Sequence, residues 1–300
     1  MESVTLKINQ EILTKMENFY HENIEYVNKD YILWKTKTID DVSITIYSSN
    51  KGLKALFTGV NALNEAKIWD IDATVNIRKE QKTYTWQSLD DQIGSDEVGT
   101  GDFFGPIIVV ASYIKKESIP FLLSLKVNDS KKLTDQKILE IVPQILDHVI
   151  YSKLTCTNQK YNQLVKNGYS MNKIKALLHN HALIKVKEKI SKNVECFVDQ
   201  FCDVDLYYSY LQNEKKIINH HITFKTKGEV QYPSIAVSSL IARYSFLKEL
   251  DLINQKYQVE IPKGASTTVD DFAQNFKDKF GKDELNKICK MNFKNYLKIK

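Results

Sequence analysis

Cysteine is scarce in this 300-residue chain, and its four copies form no metal-binding pattern. None belongs to a CxxC pair, and they stand far apart, at Cys156, Cys196, Cys202 and Cys289. This spacing argues against a zinc site. Buried or partly buried free thiols in a reducing compartment explain the four residues better.

Long apolar runs and targeting signals are missing as well. No stretch approaches the roughly 20 apolar residues that span a bilayer, and Met1–Val4 does not begin a secretory signal. The phosphate-loop pattern GxxxxGK[ST] is absent, which argues against a phosphotransferase built on it. The sequence therefore predicts a soluble, cytoplasmic protein with no membrane partner.

The charge of the chain is mildly basic and unevenly divided. The net charge is +5, and residues 1–85 hold 11 basic against 12 acidic side chains, whereas the remainder holds 31 against 25. This balance tolerates a polyanionic partner without requiring one. Any electrostatic attraction to a polyanion is expected mostly in the second part.

The first part has the alternation and turn residues of a small α+β unit. Its polar end, within residues 70–92, is the predicted linker, and the length of the chain suits about two domains. The predicted strands are Val4–Ile8, Tyr31–Lys37, Val42–Tyr47 and Leu53–Phe57, and the predicted helices are Glu11–Tyr20 and Ala62–Trp69.

After Ile93 the pattern changes to strands that alternate with longer helices, which indicates an α/β domain. Ile107–Tyr113 is almost wholly apolar and predicts a strand buried on both faces. The other predicted strands are Tyr151–Thr157 and Val194–Val198, and the predicted helices are Met171–Ile190, Ser234–Leu250 and one that carries Phe272, Phe276 and Phe280.

The most informative stretch is Ile93–Pro106, where two adjacent acids, Asp96 and Glu97, precede Gly99 and Gly101. Neighbouring side chains on a strand point to opposite faces, so both acids can serve one metal site only near a strand end or bend. Glycine would let a sugar-phosphate backbone approach closely. Taken alone, a solvated turn explains the acidic pair equally well.

Two further acids stand where α/β folds often place functional side chains. Asp199 ends the predicted strand Val194–Val198, and Glu229 lies just before the helix Ser234–Leu250. Taken alone, Asp199 is explained equally well as an ordinary loop acid, and Glu229 as an acid that the helix dipole favours near the first turn. Small residues on one side of Ser234–Arg243 would permit close packing.

Several ordered motifs together resemble the type 2 ribonucleases H. The segment Gly94–Pro106 is similar to the opening motif of that family, and Thr100 within it resembles the ribonuclease HIII branch, since ribonuclease HII usually has arginine there. The other motifs that carry the resemblance are Asn128–Leu133, Ala236–Arg243, and Pro262–Ser266 followed by Val269 and Asp270.

The resemblance implies an α/β fold: a ribonuclease-H-like mixed sheet flanked by helices, in residues 86–300. It also implies a TATA-binding-protein-like, substrate-binding α+β domain in residues 1–85. Four active-site acids carry over, and glutamate at the last position is typical of the HIII branch. They are Asp96, Glu97, Asp199 and Glu229, the first three chiefly as metal ligands. Ser238, where alanine is commoner, is a small departure.

The implied function is hydrolysis of the RNA strand of RNA–DNA hybrids, by a monomer, leaving 5′-phosphate and 3′-hydroxyl ends. Two Mg²⁺ or Mn²⁺ ions would activate water and neutralise charge, and such hard ions prefer oxygen ligands. Candidate readers of the 2′-hydroxyl are the backbone groups of Gly99, Thr100 and Gly101. Candidate phosphate contacts are Lys131, Lys132 and Lys263.

Some alternatives remain open at this point. Ribonuclease HII-like cleavage at single embedded ribonucleotides is the nearest, and a non-catalytic hybrid-binding module belongs to another class. Tyr47 and Phe57 are candidate aromatic contacts of the first domain. Adjacent histidines, such as His220 and His221, are more often loop residues than metal ligands.

Overall fold

The computed structural model describes residues 2–29, 31–50, 52–76, 86–218 and 222–299, without the side chains of Asn28, Lys29 and Lys131. The chain divides into two compact units, Met1–Thr83 and Tyr84–Lys300. The described residues include most of the predicted linker but not 77–85, and His220 and His221 lie outside them.

The described part of the first unit is one antiparallel sheet with two helices. The strand order is β1-β5-β4-β3-β2. The strands are β1 Glu2–Ile8, β2 Glu25–Lys29, β3 Ile32–Lys37, β4 Ser43–Ser49 and β5 Gly52–Gly59, and the helices are α1 Gln10–Tyr20 and α2 Ala62–Lys67.

Alternation along the strands gives this sheet one buried face. Trp34, Ile46 and Phe57 are fully buried in a core that also contains Met16 of α1. Asn9 caps α1, since its side chain accepts a hydrogen bond of 2.9 Å from the backbone of Ile12. The prediction that Phe57 contacts substrate is therefore wrong, because its ring is fully buried in this core.

The second unit is a mixed sheet with helices on both faces, as predicted. Its strands are β6 Gln92–Val98, β7 Ile107–Ile114, β8 Ile150–Cys156, β9 Glu195–Asp199 and β10 Ile222–Lys225. Its helices are α3 Ile119–Ser124, α4 Asp135–Leu146, α5 Asn158–Lys166, α6 Met171–Lys187, α7 Val204–Leu211, α8 Pro233–Tyr257, α9 Thr267–Phe280, α10 Lys282–Ile288 and α11 Lys294–Leu297.

The strand order in this sheet is β10-β9-β6-β7-β8. Strand β6 runs parallel to β9 and antiparallel to β7. Every residue of β7 is buried, and alternate residues enter two cores: Val110 packs with Val237 of α8, whereas Val109 packs with Leu183 of α6. Helices α8 and α6 therefore cover opposite faces of the sheet.

Cys156, Cys196 and Cys289 are buried free thiols and Cys202 is half-buried, as predicted. Within the described part of the chain, no helix combines the length and apolar character that crossing a membrane requires.

Candidate active site

Asp96 and Asp199 lie side by side near the carboxyl ends of two neighbouring strands of the second sheet. Strands β6 and β9 are parallel, and Ser95 pairs with Val198, so the next residues of both strands lie side by side. The carboxyl ends of parallel strands are where α/β sheets commonly build sites. The structure therefore brings together two acids that stand about a hundred residues apart in the sequence.

Asp96 and Glu97 point to opposite faces of the sheet, as adjacent strand residues should. The Asp96 carboxylate accepts hydrogen bonds from the Ser239 side chain of α8 and, at 2.7 Å, from the backbone N–H of Glu97. Glu97 instead contacts α6, through Lys175 and His179. The pair therefore stands between the two helix layers, close to the end of β6.

Glu229 is brought to the same place by a short 3₁₀ turn, Gly228–Val230, just before α8. The backbone N–H of Gly228 donates a 2.8 Å hydrogen bond to Oδ1 of Asp199, and Glu229 itself is buried. A Cβ on Gly228 would lie 2.4 Å from Cδ1 of Ile235. A side chain at position 228 would therefore have to displace the end of the Ile235 side chain of α8.

The charges of these acids influence one another. Burial, together with the negative charges of Glu97 and Asp199, raises the pKa of Asp96 well above its usual range. Burial also acts to raise the pKa of Glu97, but the hydrogen bond and charge of His179 and the Lys175 ammonium outweigh it and lower that pKa. A nearby cation would therefore favour the ionised form of Asp96.

The donor set fits a hard divalent cation, although its members are not gathered around one point. Among the described residues, no three His, Cys, Asp or Glu side chains are arranged to hold a metal ion. The four acids nevertheless supply only oxygen donors, and burial together with the negative charges of Glu97 and Asp199 raises the pKa of Asp96. Carboxylate oxygens of this kind suit Mg²⁺ or Mn²⁺ rather than zinc.

Lys175 and His179 are residues near the site that the sequence does not single out. Both lie on α6, four residues apart, and both are buried, at 7% and 0% exposure. Lys175 Nζ is 2.8 Å from Oε1 of Glu97, and His179 Nε2 is 2.9 Å from Oε2. The available signal was polar residues one turn apart on a helix that otherwise fills a core.

The glycine-rich loop after β6 has a shape that only glycine allows at one position. Gly99 has a φ of +86°, and a Cβ there would lie 2.1 Å from the backbone oxygen of Pro106. Thr100 is half-buried and Gly101 is exposed. Of the three predicted 2′-hydroxyl readers, which follow Asp96 and Glu97 in the chain, Gly101 and part of Thr100 are therefore accessible, whereas Gly99 is buried.

A buried lysine near the C-terminus holds the rest of this loop. Lys290 is fully buried, and its Nζ donates hydrogen bonds to the backbone oxygens of Asp102, at 2.7 Å, and Gly105, at 2.6 Å. Burial lowers the pKa of Lys290 from 10.5 to about 8. The loop is thus fixed by a segment almost two hundred residues later in the chain.

The predicted phosphate contacts have different surroundings. Lys263 lies next to Gly264, whose backbone oxygen accepts a hydrogen bond from the backbone N–H of Phe103 and whose own N–H donates one to the Asp102 carboxylate. The Lys263 ammonium is paired with Asp135. Lys132 is half-exposed and pairs with Asp129 at 2.9 Å. The side chain of Lys131 lies outside the described residues.

The first unit has a row of polar side chains on the sheet face opposite its core. The strand register places Tyr47 beside Lys54, and Lys54 beside Lys7, on three neighbouring strands. Their neighbours Leu6, Ile46 and Ala55 point into the core. Tyr47 also stacks on Tyr31, with ring centroids 6.4 Å apart and planes 5° from parallel.

Sequence comparisons agree with this division into two units. A family profile described as Ribonuclease HII matches residues 93–296, and one described as a domain of unknown function (DUF3378) matches residues 3–82. The chain is 35% identical to Ribonuclease HIII of Bacillus cereus (strain ATCC 14579), over 98% of this chain and 96% of the relative. It is 47% identical to Ribonuclease HIII of Phytoplasma mali, over 69% and 71% of the two chains.

Solved structures resemble the whole chain. A structure described as Bst-RNase HIII in complex with Mn²⁺ superposes with a TM-score of 0.69 at 32% identity, covering 99% of this chain and 97% of the other. Aquifex aeolicus RNase H3 matches in fold, with a TM-score of 0.56 at 23% identity and 96% and 99% coverage.

The fold and the profile define a ribonuclease-H-like α/β unit that follows a smaller α+β unit. The family profile covers more than half of the chain, and full-length relatives exceed 30% identity. The chain therefore belongs to the type 2 ribonuclease H family, in its ribonuclease HIII branch, as the sequence motifs predicted.

Proposed function

We propose that the chain is an endoribonuclease that hydrolyses the RNA strand of RNA–DNA hybrids, leaving 5′-phosphate and 3′-hydroxyl ends. Membership of the ribonuclease HIII branch supports the reaction. The structural observation that carries the proposal is the meeting of Asp96 and Asp199 at the carboxyl edge of parallel strands, with Glu97 and Glu229 beside them.

Asp96, Glu97 and Asp199 are proposed as ligands of a divalent metal, and Glu229 as a fourth ligand or as the residue that orients the attacking water. Two Mg²⁺ or Mn²⁺ ions would supply charge neutralisation and an activated water to phosphodiester hydrolysis. The Mn²⁺ in the similar Bst-RNase HIII structure supports a divalent ion. The two-ion arrangement is part of the proposal.

Recognition of RNA is assigned to the loop of Gly99, Thr100 and Gly101. Its position next to the acids suits a contact with the 2′-hydroxyl near the scissile phosphate. Lys263 is bound through its neighbour Gly264 to the same loop, so it remains a candidate phosphate contact. Lys132, half-exposed near Asp129, is a second candidate, and Lys131 is a third.

The first unit, residues 1–85 with the start of the linker, is proposed to bind substrate through the open face of its sheet. Lys7, Lys54 and Tyr47 form a row there that presents two ammonium groups and an aromatic ring. Such groups can contact phosphates without reading sequence. The unit is close to neutral overall, although this row is locally basic.

Cleavage of two labelled duplexes tests the proposed reaction. One duplex has a uniform RNA strand paired with DNA, and the other holds one ribonucleotide within DNA. We expect divalent-metal-dependent cuts within the uniform RNA strand, with product ends that carry 5′-phosphate. Cleavage of the single-ribonucleotide duplex alone would favour ribonuclease HII-like activity, and metal-independent binding without cleavage would indicate a binding module.

A further inference from the structure

Glu97 is held at both carboxylate oxygens by one face of α6. Lys175 Nζ lies 2.8 Å from Oε1, and His179 Nε2 lies 2.9 Å from Oε2. Lys175 and His179 are four residues apart, so a single helical face presents both groups. An ionised carboxylate has about four acceptor positions, and these contacts leave some of them for a metal ion.

His179 is itself fixed from behind. Its Nδ1 lies 2.8 Å from Oγ of Ser95, which is fully buried and precedes Glu97 by two residues on β6. Residues two apart on a strand share a face, so Ser95 and Glu97 both point at the same imidazole. Because an ionised carboxylate can only accept, Nε2 donates to Glu97, and Ser95 can donate to a neutral Nδ1.

An aromatic ring from the Asp199 strand end covers both α6 groups. Phe201 follows Asp199 by two residues, and Lys175 Nζ lies 4.1 Å from the centroid of its ring. The ring stacks on His179 with centroids 5.2 Å apart and planes 26° from parallel. The contacts of Phe201 thus connect the loop that begins at Asp199 to the groups that hold Glu97.

We propose that Lys175 and His179, covered by Phe201, are positioning residues that fix the orientation of the Glu97 carboxylate for metal binding. The inference rests on the proposed metal-dependent function. Outer hydrogen-bonding partners of metal ligands fix ligand orientation, and their loss typically weakens metal affinity or activity about 10–100-fold. Orientation matters here because Glu97 points to the sheet face opposite to that of Asp96.

Two substitutions of His179 separate its two hydrogen bonds. Glutamine can place its amide nitrogen near the position of Nε2 and keep the bond to Glu97, whereas asparagine reaches only the position of Nδ1, next to Ser95. Both lose the imidazole ring. A role in folding alone would make the two variants alike, whereas a positioning role requires them to differ.

The measurement is Mn²⁺ affinity of the full chain without nucleic acid, by isothermal titration calorimetry at one pH, with thermal unfolding as a check of folding. We expect His179→Gln to bind nearly as tightly as the unchanged chain, and His179→Asn to bind about 10–100-fold more weakly. Equal affinities for the two folded variants would overturn the role of His179.

Lys175→Met separates orientation from charge. If Lys175 acts by orientation, its loss weakens Mn²⁺ binding, and if it acts only as a neighbouring positive charge, its loss leaves binding unchanged or tighter. Either of the latter results overturns its positioning role. Lys216→Met is the matched control, because it removes an exposed ion pair with Glu188 and should leave Mn²⁺ affinity unchanged.

Failure of the inference and failure of the proposed function give different results. If the unchanged chain neither binds Mn²⁺ nor cuts hybrid, the proposed function and the positioning role are both wrong. If it does both, and the folded Lys175 and His179 variants match it in Mn²⁺ affinity, the positioning role alone is wrong.

Discussion

Gly94 and Ile235 approach each other so closely that a Cβ on Gly94 would lie 2.4 Å from the backbone nitrogen of Ile235. The approach brings α8 against β6, where Ser238 Oγ donates a 2.8 Å hydrogen bond to the backbone oxygen of Gly94. Ser239, the next residue of α8, thereby reaches Asp96. The lack of a side chain at position 94 therefore helps to form the acidic site.

Gly94→Ala should separate β6 from α8, since the nearest atoms belong to backbone and cannot rotate away. We expect a loss of about 1–3 kcal/mol in the free energy of unfolding, measured by denaturant titration, and a lower cleavage rate. Gly101→Ala is the control for stability, because a Cβ there meets no described heavy atom within 4 Å. Equal stability of the two variants would contradict the close approach.

Asp96→Asn should raise stability in metal-free buffer at neutral pH. The native pKa of Asp96 lies above the ordinary 3.8, so the native state binds more protons and is destabilised as pH rises from 3.8 towards the native pKa. Asparagine keeps an acceptor for the Glu97 amide without the charge.

Thermal unfolding across pH, with EDTA present, checks this prediction. The gain of the variant should be present at pH 7 and shrink towards pH 4. Asp278→Asn is the control, since that exposed carboxylate has a pKa lowered by Gln274 and Lys277 and should give no gain. A less stable Asp96→Asn protein at pH 7 would contradict the raised pKa of Asp96.

Lys290 should make stability depend on alkaline pH. Its pKa is lowered from 10.5 to about 8, so between these values the unfolded state binds the extra proton and stability rises with pH. The contribution of Lys290 to the free energy of unfolding is fully present above pH 10.5 and is lost as pH falls through about 8. It amounts to at most about 1.4 kcal/mol per pH unit.

The difference in unfolding free energy between the unchanged chain and Lys290→Met isolates this contribution, because other titrating groups are common to both proteins. The difference should grow from pH 8 to pH 10. The unchanged chain should be the more stable of the two proteins, since methionine leaves the carbonyl of Asp102 without this hydrogen-bond donor. A difference that stays flat with pH would show that Lys290 keeps an ordinary pKa.

The basic row of the first unit should contribute to hybrid binding through phosphates. Replacing Lys7 and Lys54 together by glutamine should weaken binding at all sequences and reduce the slope of log affinity against log salt by about 1 for each phosphate that is no longer neutralised. Fluorescence anisotropy with the Asp96→Asn protein measures this without cleavage. Lys15→Gln, on α1 and paired with Glu11, is the control; identical slopes for all three proteins would exclude this face.

Much of the fold follows from local pattern. The buried strand β7 and the helix α6 match the predicted segments to within about three residues. The strands β2, β6 and β10 are missing from the predicted elements. Strands β2 and β10 lie at the edges of their sheets and carry little alternation, and β6 contains a glycine and two adjacent acids. Six helices of the second unit, α3, α4, α5, α7, α10 and α11, are missing too. In α4, Ile138, Ile141 and Ile145 repeat at helical spacing, but Pro143 argues against a helix there.

The candidate site was predictable only in part. The motifs around Asp96, Asp199 and Glu229 identify acids, whereas the surroundings of Glu97 depend on which face of α6 packs against β6. Lys175 and His179 resemble ordinary polar positions of a helix until tertiary packing buries them. The role of Lys290 could not be predicted from the sequence for the same reason, since its hydrogen-bond partners lie about 185 residues away along the chain.

The most direct test of the central claim is cleavage of a uniform RNA–DNA hybrid with Mg²⁺ or Mn²⁺ by the unchanged chain and by Asp96→Asn, each shown to be folded. We expect metal-dependent cuts in the RNA strand by the unchanged chain, and loss of cleavage in the variant with its fold retained. A folded Asp96→Asn protein that cuts the hybrid at the unchanged rate would contradict it.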